Sequence, residues 1–218
     1  VGSVLDPTIP IDIGERSQRQ RIVEAMVDCC AEKTYAATTI ADIVSHASIS
    51  RTTFYKRFDG KRECFDAALE WCIDEVNEAA LTSFSASDPP PVTVRKAAAA
   101  ILELLAAKPA LAQLLLGEAF SVEPAVLARY RKLVIPALEK LWADAGEPRT
   151  GRTDPKLAFG RAQVLIYNQI TAGRVKQLPQ LLPELVYISL LPFSGHEEAL
   201  REARLADPTV NAELSPDP

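Results

Sequence analysis

The chain has 218 residues, 48% of them hydrophobic, with 24 Lys and Arg against 29 Asp and Glu and a formal charge of −5. That is too apolar and varied for a disordered chain, too poor in glycine for a fibrous one, and long enough to bury one or two cores without disulfides. Four cysteines with no C-x-x-C pair, accompanied by only two histidines, argue against a zinc site or histidine-based catalysis and fit a reducing, cytoplasmic compartment without metal or cofactor; the acidic average also argues against a nucleic-acid partner.

Residues 1–14 contain two prolines and lack the basic start and apolar centre of a signal peptide, so they read as a flexible tail. From Glu15 onward apolar residues recur at helical spacing and no period-two run appears, which predicts an all-α protein. Helices are expected at 15–34, 39–47, 51–58, 61–84, 92–107, 110–118, 123–145, 155–177, 180–191 and 195–205, with prolines as punctuation between most of them. Pro136 and Pro183 fall inside two of these segments, implying a kink or a first-turn position. The most apolar stretch, 97–116, is interrupted by Glu103, Lys108 and Pro109. It therefore falls short of the roughly 18 unbroken apolar residues of a membrane span, and the chain reads as soluble with no membrane partner.

The segment TTIADIVSHASISRTTFYKRF (38–58) reads as two short helices joined by a tight turn. Thr39 with Asp42 three residues on is an approximate capping box, and Ile40, Ile43, Val44 and Ala47 form one buried stripe. Ser48, Ile49 and Ser50 make the turn, with Ser50 able to cap the next helix. Phe54 and Phe58, spaced i, i+4, anchor that helix from below. Thr52 and Lys56 project almost opposite, flanked by Thr53 and Tyr55. Arg51 and Lys56 can donate to guanine or phosphate, threonines can reach a phosphate or a thymine methyl, and the Tyr55 hydroxyl can bond a phosphate.

The charge supports this reading once it is divided. Residues 16–62 hold nine basic and five acidic residues, net +4, while the rest of the chain holds fifteen and twenty-four, net −9. The average of −5 hides a basic head on an acidic body.

These residues resemble the TetR (tetracycline-repressor-like) family of transcriptional regulators. The likeness runs from the first helix through TTIADIVSHASISRTTFYKRFDGKRECF, with a threonine pair opening helix 2, S-x-x-T-F-Y-x-x-F from Ser50 to Phe58, and Lys61, Glu63 and Phe65 opening helix 4. The resemblance implies a three-helix helix-turn-helix DNA-binding head (15–60), joined through helix 4 to a larger helical effector-binding and dimerisation domain (61–205), and then a flexible tail (206–218). It implies that Thr39 meets the DNA backbone, that Arg51, Thr52, Tyr55 and Lys56 face DNA with Ser50 at the start of the DNA-binding helix, that Thr53 either contacts a phosphate or packs within the helix, and that Lys61 meets a phosphate. Thr34 and Ser48 stand where the family usually has glycine, and a positive φ there costs a non-glycine residue on the order of 1 kcal/mol. Gly60 stands where it usually has a serine cap.

Beyond the head, apolar residues nearly surround the helices at 97–107, 110–120 and 157–175, as in helices sandwiched between neighbours. By resemblance, helices 4 to 7 enclose a small-molecule pocket, and the helices at 155–177 and 180–191 join a second copy. Leftover apolar surface independently calls for a partner, and a two-fold dimer would read two half-sites of a near-palindromic operator. Phe120, Tyr130, Trp142, Gln163, Tyr167 and Asn168, aromatic or amide groups among aliphatic ones, are the effector-binding candidates, for an apolar or amphipathic ligand. The expected function is a ligand-responsive regulator, a repressor released from DNA by its effector.

Two other readings stay open. An enzyme on an apolar substrate lacks a nucleophile motif, phosphate loop or metal spacing to join His46 and His196. A helical small-molecule-binding or adaptor protein without operator binding leaves the face of Thr52, Tyr55 and Lys56 unexplained. The four cysteines read as buried thiols or as redox-sensing ones.

Overall fold

A computed structural model of the chain describes residues 11–118 and 153–207, with Ile135, Pro136, Glu139, Lys140 and Ala143 between them. Among these residues every regular element is helical: α1 (Ile11–Lys33), α2 (Ile40–His46), α3 (Arg51–Tyr55), α4 (Lys61–Thr82), α5 (Pro90–Ala107), α6 (Pro109–Ala112) continuing as a π-helical stretch (Gln113–Glu118), α7 (Pro155–Thr171), a 3₁₀ segment (Val175–Leu181) and α8 (Leu182–Leu205). The all-α expectation holds. No single described helix is long and apolar enough to cross a membrane; α5 and Pro109–Glu118 reach that length only together, and the chain turns by 108° between them.

The chain divides into two compact units, Val1–Trp71 and Cys72–Pro218, and the division falls inside α4 rather than at 60/61. The reason lies in the first turns of α4, where Cys64, Phe65 and Ala68 are fully buried and the Phe65 ring meets Tyr35 with centroids 4.3 Å apart. The start of α4 thus belongs to the core of the first unit. That core also takes Ile22, Met26 and Cys30 from α1, Ile43 from α2, and Phe54 and Phe58. Helix α1 begins at Ile11, four residues before the sequence reading and inside its tail, since a lone Gly14 costs a helix only about 1 kcal/mol.

The second unit is built on α8, which packs along α5 and α7. Val94, Val186, Leu190, Phe193, Ala199 and Ala206 form one buried cluster, and the buried Glu202 accepts a 2.8 Å bond from Arg95 of α5. The prolines act mainly as helix starters. Pro90, Pro109, Pro155 and Pro183 all sit in first turns, where the missing N–H costs nothing.

Glycines account for two departures. The segment expected at 155–177 ends at Thr171, because Gly173 (φ +72°) closes a Schellman motif: its N–H donates to Ile170 O at 3.0 Å and that of Arg174 to Gln169 O at 2.9 Å. The helices expected at 180–191 and 195–205 are one element, bent at Gly195 (φ +78°, ψ −174°), a conformation essentially restricted to glycine.

Candidate nucleic-acid interface and ligand cavity

Short-range chemistry sets the helix-turn-helix. The Thr39 side chain accepts the Asp42 N–H at 3.2 Å while the Asp42 carboxylate accepts the Thr39 N–H at 2.9 Å, so the capping box is complete. Lys33 from the end of α1 reaches the same carboxylate at 2.7 Å. That ammonium, with the Thr39 donors, holds the Asp42 carboxyl at about 2, well below its ordinary value.

Helix α2 ends in a second Schellman motif, in which Ser48 N–H donates to Ser45 O at 3.2 Å and Ile49 N–H to Val44 O at 3.0 Å. Ser48 takes φ +54° to make it. Thr34, whose N–H donates to Cys30 O at the end of α1, takes φ +77°. Both are the positive-φ positions foreseen for glycine. The Ser50 Oγ accepts the Thr53 N–H at 3.0 Å and caps α3. At α4 the missing serine cap is offset by Glu63, whose carboxylate accepts the Asp59 N–H at 2.5 Å.

Helix α3 is anchored from beneath by Phe54, fully buried and 5.7 Å from Phe58 between ring centroids, while the Arg19 guanidinium lies 5.1 Å from the Phe58 ring. On the other side Arg51, Thr52 and Lys56 are exposed, and Tyr55 is 56% exposed. The helix is held by two phenylalanines and presents an exposed tyrosine between cations and hydroxyls, groups of the kind that contact phosphates and base edges. A family model described as "Bacterial regulatory proteins, tetR family" matches residues 22–68, the span from the buried face of α1 into α4.

Over residues 22–68 the chain matches the TetR family. That family consists of DNA-binding transcription regulators and is not enzymatic. The chain is 27% identical over 59 residues to the biofilm operon icaADBC negative transcriptional regulator IcaR of Staphylococcus aureus, a match covering 27% of this chain and 32% of that one. It thus spans about a third of that curated relative. Solved structures show the same fold over most of the chain. A TetR family transcription regulator from Marinobacter aquaeolei VT8 superposes with a TM-score of 0.64 at 19% identity, covering 90% of this chain and 96% of that one. The transcriptional regulator FadR from Bacillus subtilis, solved in complex with stearoyl-CoA, superposes with a TM-score of 0.66 at 18% identity, covering 81% and 98%.

Within this head Lys61 is engaged by the protein itself. The Lys61 ammonium, expected to meet DNA, donates to Tyr35 O and Thr38 O, each at 2.9 Å, and lies 4.3 Å from the Tyr35 ring centroid. Two carbonyls and a ring face satisfy it inside the head. Thr39 and Ser50 are exposed with their hydroxyls engaged in caps, and the half-buried Thr53 shares a 2.9 Å hydroxyl bond with Ser50.

The second unit holds a partly open cavity of about 180 Å³, lined by residues of α4, α5, the π-helical stretch, α7 and α8. Gln163 is among them, with Phe159 and Ile166 beside it on α7. Tyr167 and Asn168, the neighbouring candidates, do not reach it. Asn168 lies five residues past Gln163, about 140° round the helix, and Tyr167 sits on an exposed edge with Val164. Phe120, Tyr130 and Trp142 lie outside the described residues. The sequence reading missed Ala97, Ala98, Ala158 and Ala162, whose small side chains help leave the space. The signal was there in alanines repeated i, i+4 on α7.

All four cysteines are free and buried, and burial pushes the Cys64 thiol up to about 12 and that of Cys29 upward. Protonated, enclosed thiols are poor nucleophiles, which favours the packing role over the redox one.

Proposed function

We propose that the chain is an effector-controlled repressor, acting in the cytoplasm, that binds a near-palindromic operator as a homodimer and leaves it when a small apolar or amphipathic molecule enters the cavity of the second unit. The observation that carries the reading is the exposed face of α3. There Arg51, Thr52, Tyr55 and Lys56 stand free of the core while Phe54 holds the helix from below. Arg51 and Lys56 neutralise phosphates or reach guanine, Tyr55 bonds a phosphate, and Thr52 reads a thymine methyl or a phosphate. Thr39, Ser50 and Thr53 set the caps that aim this face, with backbone contact to DNA a secondary role.

A single helix of five residues touches too few bases for operator specificity, so two copies must act together at half-sites about 34–36 Å apart. Leu157, Val164 and Tyr167 support that pairing. They lie at i, i+7 and i+10 on α7, and the first two are 55% and 56% exposed, an apolar stripe suited to a second copy. The cavity supports the effector, since its described walls are almost wholly apolar. Helix α4 carries residues of both units and is the path by which an effector would alter the spacing of two heads. The effector must bind the released conformation more tightly than the DNA-bound one.

The test is fluorescence anisotropy with duplex from upstream of the chain's own gene, and with duplexes selected from a random pool, over a range of salt. Saturable binding that weakens steeply with salt is expected. Its absence from every duplex would overturn the reading.

A further inference from the structure

Among the described residues the cavity of the second unit is apolar with two exceptions. Of those lining side chains only Gln163 and Ser189 are polar, and none is charged. Gln163 is 5% exposed, and its amide Nε2 meets no hydrogen-bond acceptor among the described residues. A buried donor left without an acceptor is costly, and native interiors keep few of them. In a space walled by leucine, isoleucine, alanine, valine and phenylalanine, an acceptor delivered by a guest would satisfy it.

Resting on the reading of this cavity as the effector site, we propose that its ligand is a small, uncharged, mostly apolar molecule carrying a carbonyl-type acceptor, and that Gln163 donates its amide N–H to that oxygen. Size follows from volume. An apolar cavity of about 150 Å³ in another protein takes benzene, so about 180 Å³ holds one ring or an equivalent short chain with a small substituent. Charge follows from the wall. A carboxylate brought here would lose water and find no cation among the described lining residues, so acids are disfavoured even when their shape fits. An amide donor aimed at a neutral acceptor is therefore a filter. It separates ketones, esters, lactones or amides from hydrocarbons of the same outline and from acids.

Acetophenone, ethylbenzene and benzoate make a matched set of probes: a ketone, a hydrocarbon and a carboxylate of similar shape. Isothermal titration of the full chain at pH 7 should show acetophenone binding about three- to tenfold more tightly than ethylbenzene, the worth of one neutral hydrogen bond. Benzoate should bind at least about tenfold more weakly than the ketone. In Gln163→Leu the ketone's advantage should vanish while ethylbenzene binds as well or better. In Ala162→Phe, which fills the space, all three should be lost while circular dichroism keeps the helical signal.

If the wild type binds ketone and hydrocarbon alike, and both are lost on filling the cavity, the role of the amide is overturned while the cavity stands as a binding site. If the preference survives in Gln163→Leu, or benzoate binds best, the inference fails as well. If none of the probes binds the wild type, the effector-site reading falls with it.

Discussion

The Lys61 ammonium donates to the Thr38 carbonyl at 2.9 Å, one residue before the Thr39 that caps α2. With its second bond to Tyr35 O, it ties the loop between α1 and α2 to the start of α4. Lys61→Met should therefore cost about 2 kcal/mol of stability, the scale of hydrogen bonds from a charged donor. A lysine spent on a phosphate would act differently, lowering the slope of log affinity against log salt by about 0.9. The expectation is a lower urea midpoint with an unchanged salt slope. An unchanged midpoint with a smaller slope would return Lys61 to the DNA.

Lys56→Ala and Tyr55→Ala should do the reverse. Both side chains are exposed, Tyr55 by 56%, and neither belongs to the buried core of the head. Exposed substitutions of this kind stay within about 0.5 kcal/mol. Operator affinity should fall by tenfold or more, about 1.4 kcal/mol or upward, since each removes a proposed contact to phosphate or base. For Lys56→Ala the salt slope should also drop by about 0.9. A thermal melt separates the outcomes, because a large loss of stability would place these residues in the core.

The helix-turn-helix was legible because its signals are local. Thr39 with Asp42, Ser50 before Arg51, and Phe54 four residues before Phe58 each act within one turn, so spacing alone locates the caps and the buried face. The helix end at Gly173 was not legible, because apolar periodicity runs through it from Ile170 to Val175 and only the backbone's excursion to positive φ interrupts it. The break near Gly195 was legible from Pro192 and Gly195, but as a gap between two helices rather than a bend within one. The cavity was legible at Gln163 alone. Its volume arises where Ala97 and Ala98 of α5 meet the space beside Ala158 and Ala162 of α7, a coincidence of segments some sixty residues apart that no periodicity encodes.

Ser48 and Thr34 end their helices at φ +54° and +77°, where a Cβ clashes with the backbone and glycine does not. Gly173 closes the same Schellman motif as Ser48 without that strain. Ser48→Gly and Thr34→Gly should each raise stability by up to about 1 kcal/mol, after the added freedom of the unfolded chain is subtracted. In a chain this long that is about 2–4 °C of melting temperature. A fall in either would mean that the serine or threonine side chain contributes more than its backbone costs.

The Asp42 carboxyl sits at about 2 because Lys33 and Thr39 bond its charged form. Its folded value lies below its unfolded one of about 3.9, so the stabilisation is present above that pH and is lost as pH falls through about 2. Urea unfolding between pH 5 and 2 should show the head weakening over this window. Asp42→Asn should flatten the dependence and lower stability at pH 7 by removing the charge that the Lys33 ammonium bonds and that strengthens the cap. An identical acid profile in the variant would assign the loss to other carboxylates.

Val164, 56% exposed on α7 with Leu157 and Tyr167 along the same stripe, is the position from which the proposed pairing is best tested. Val164→Lys places a charge on that stripe without entering the core, so the melt of an isolated chain should change by no more than about 0.5 kcal/mol. Sedimentation velocity at micromolar concentration should show a dimer for the wild type and a monomer for the variant. Operator affinity should drop as well, because two heads joined through their bodies bind the second half-site at the high effective concentration set by the link, and separated heads do not. A variant that remains dimeric would move the interface off α7. A wild type that is monomeric at that concentration would remove the dimer, and with it the palindromic operator, from the proposed function.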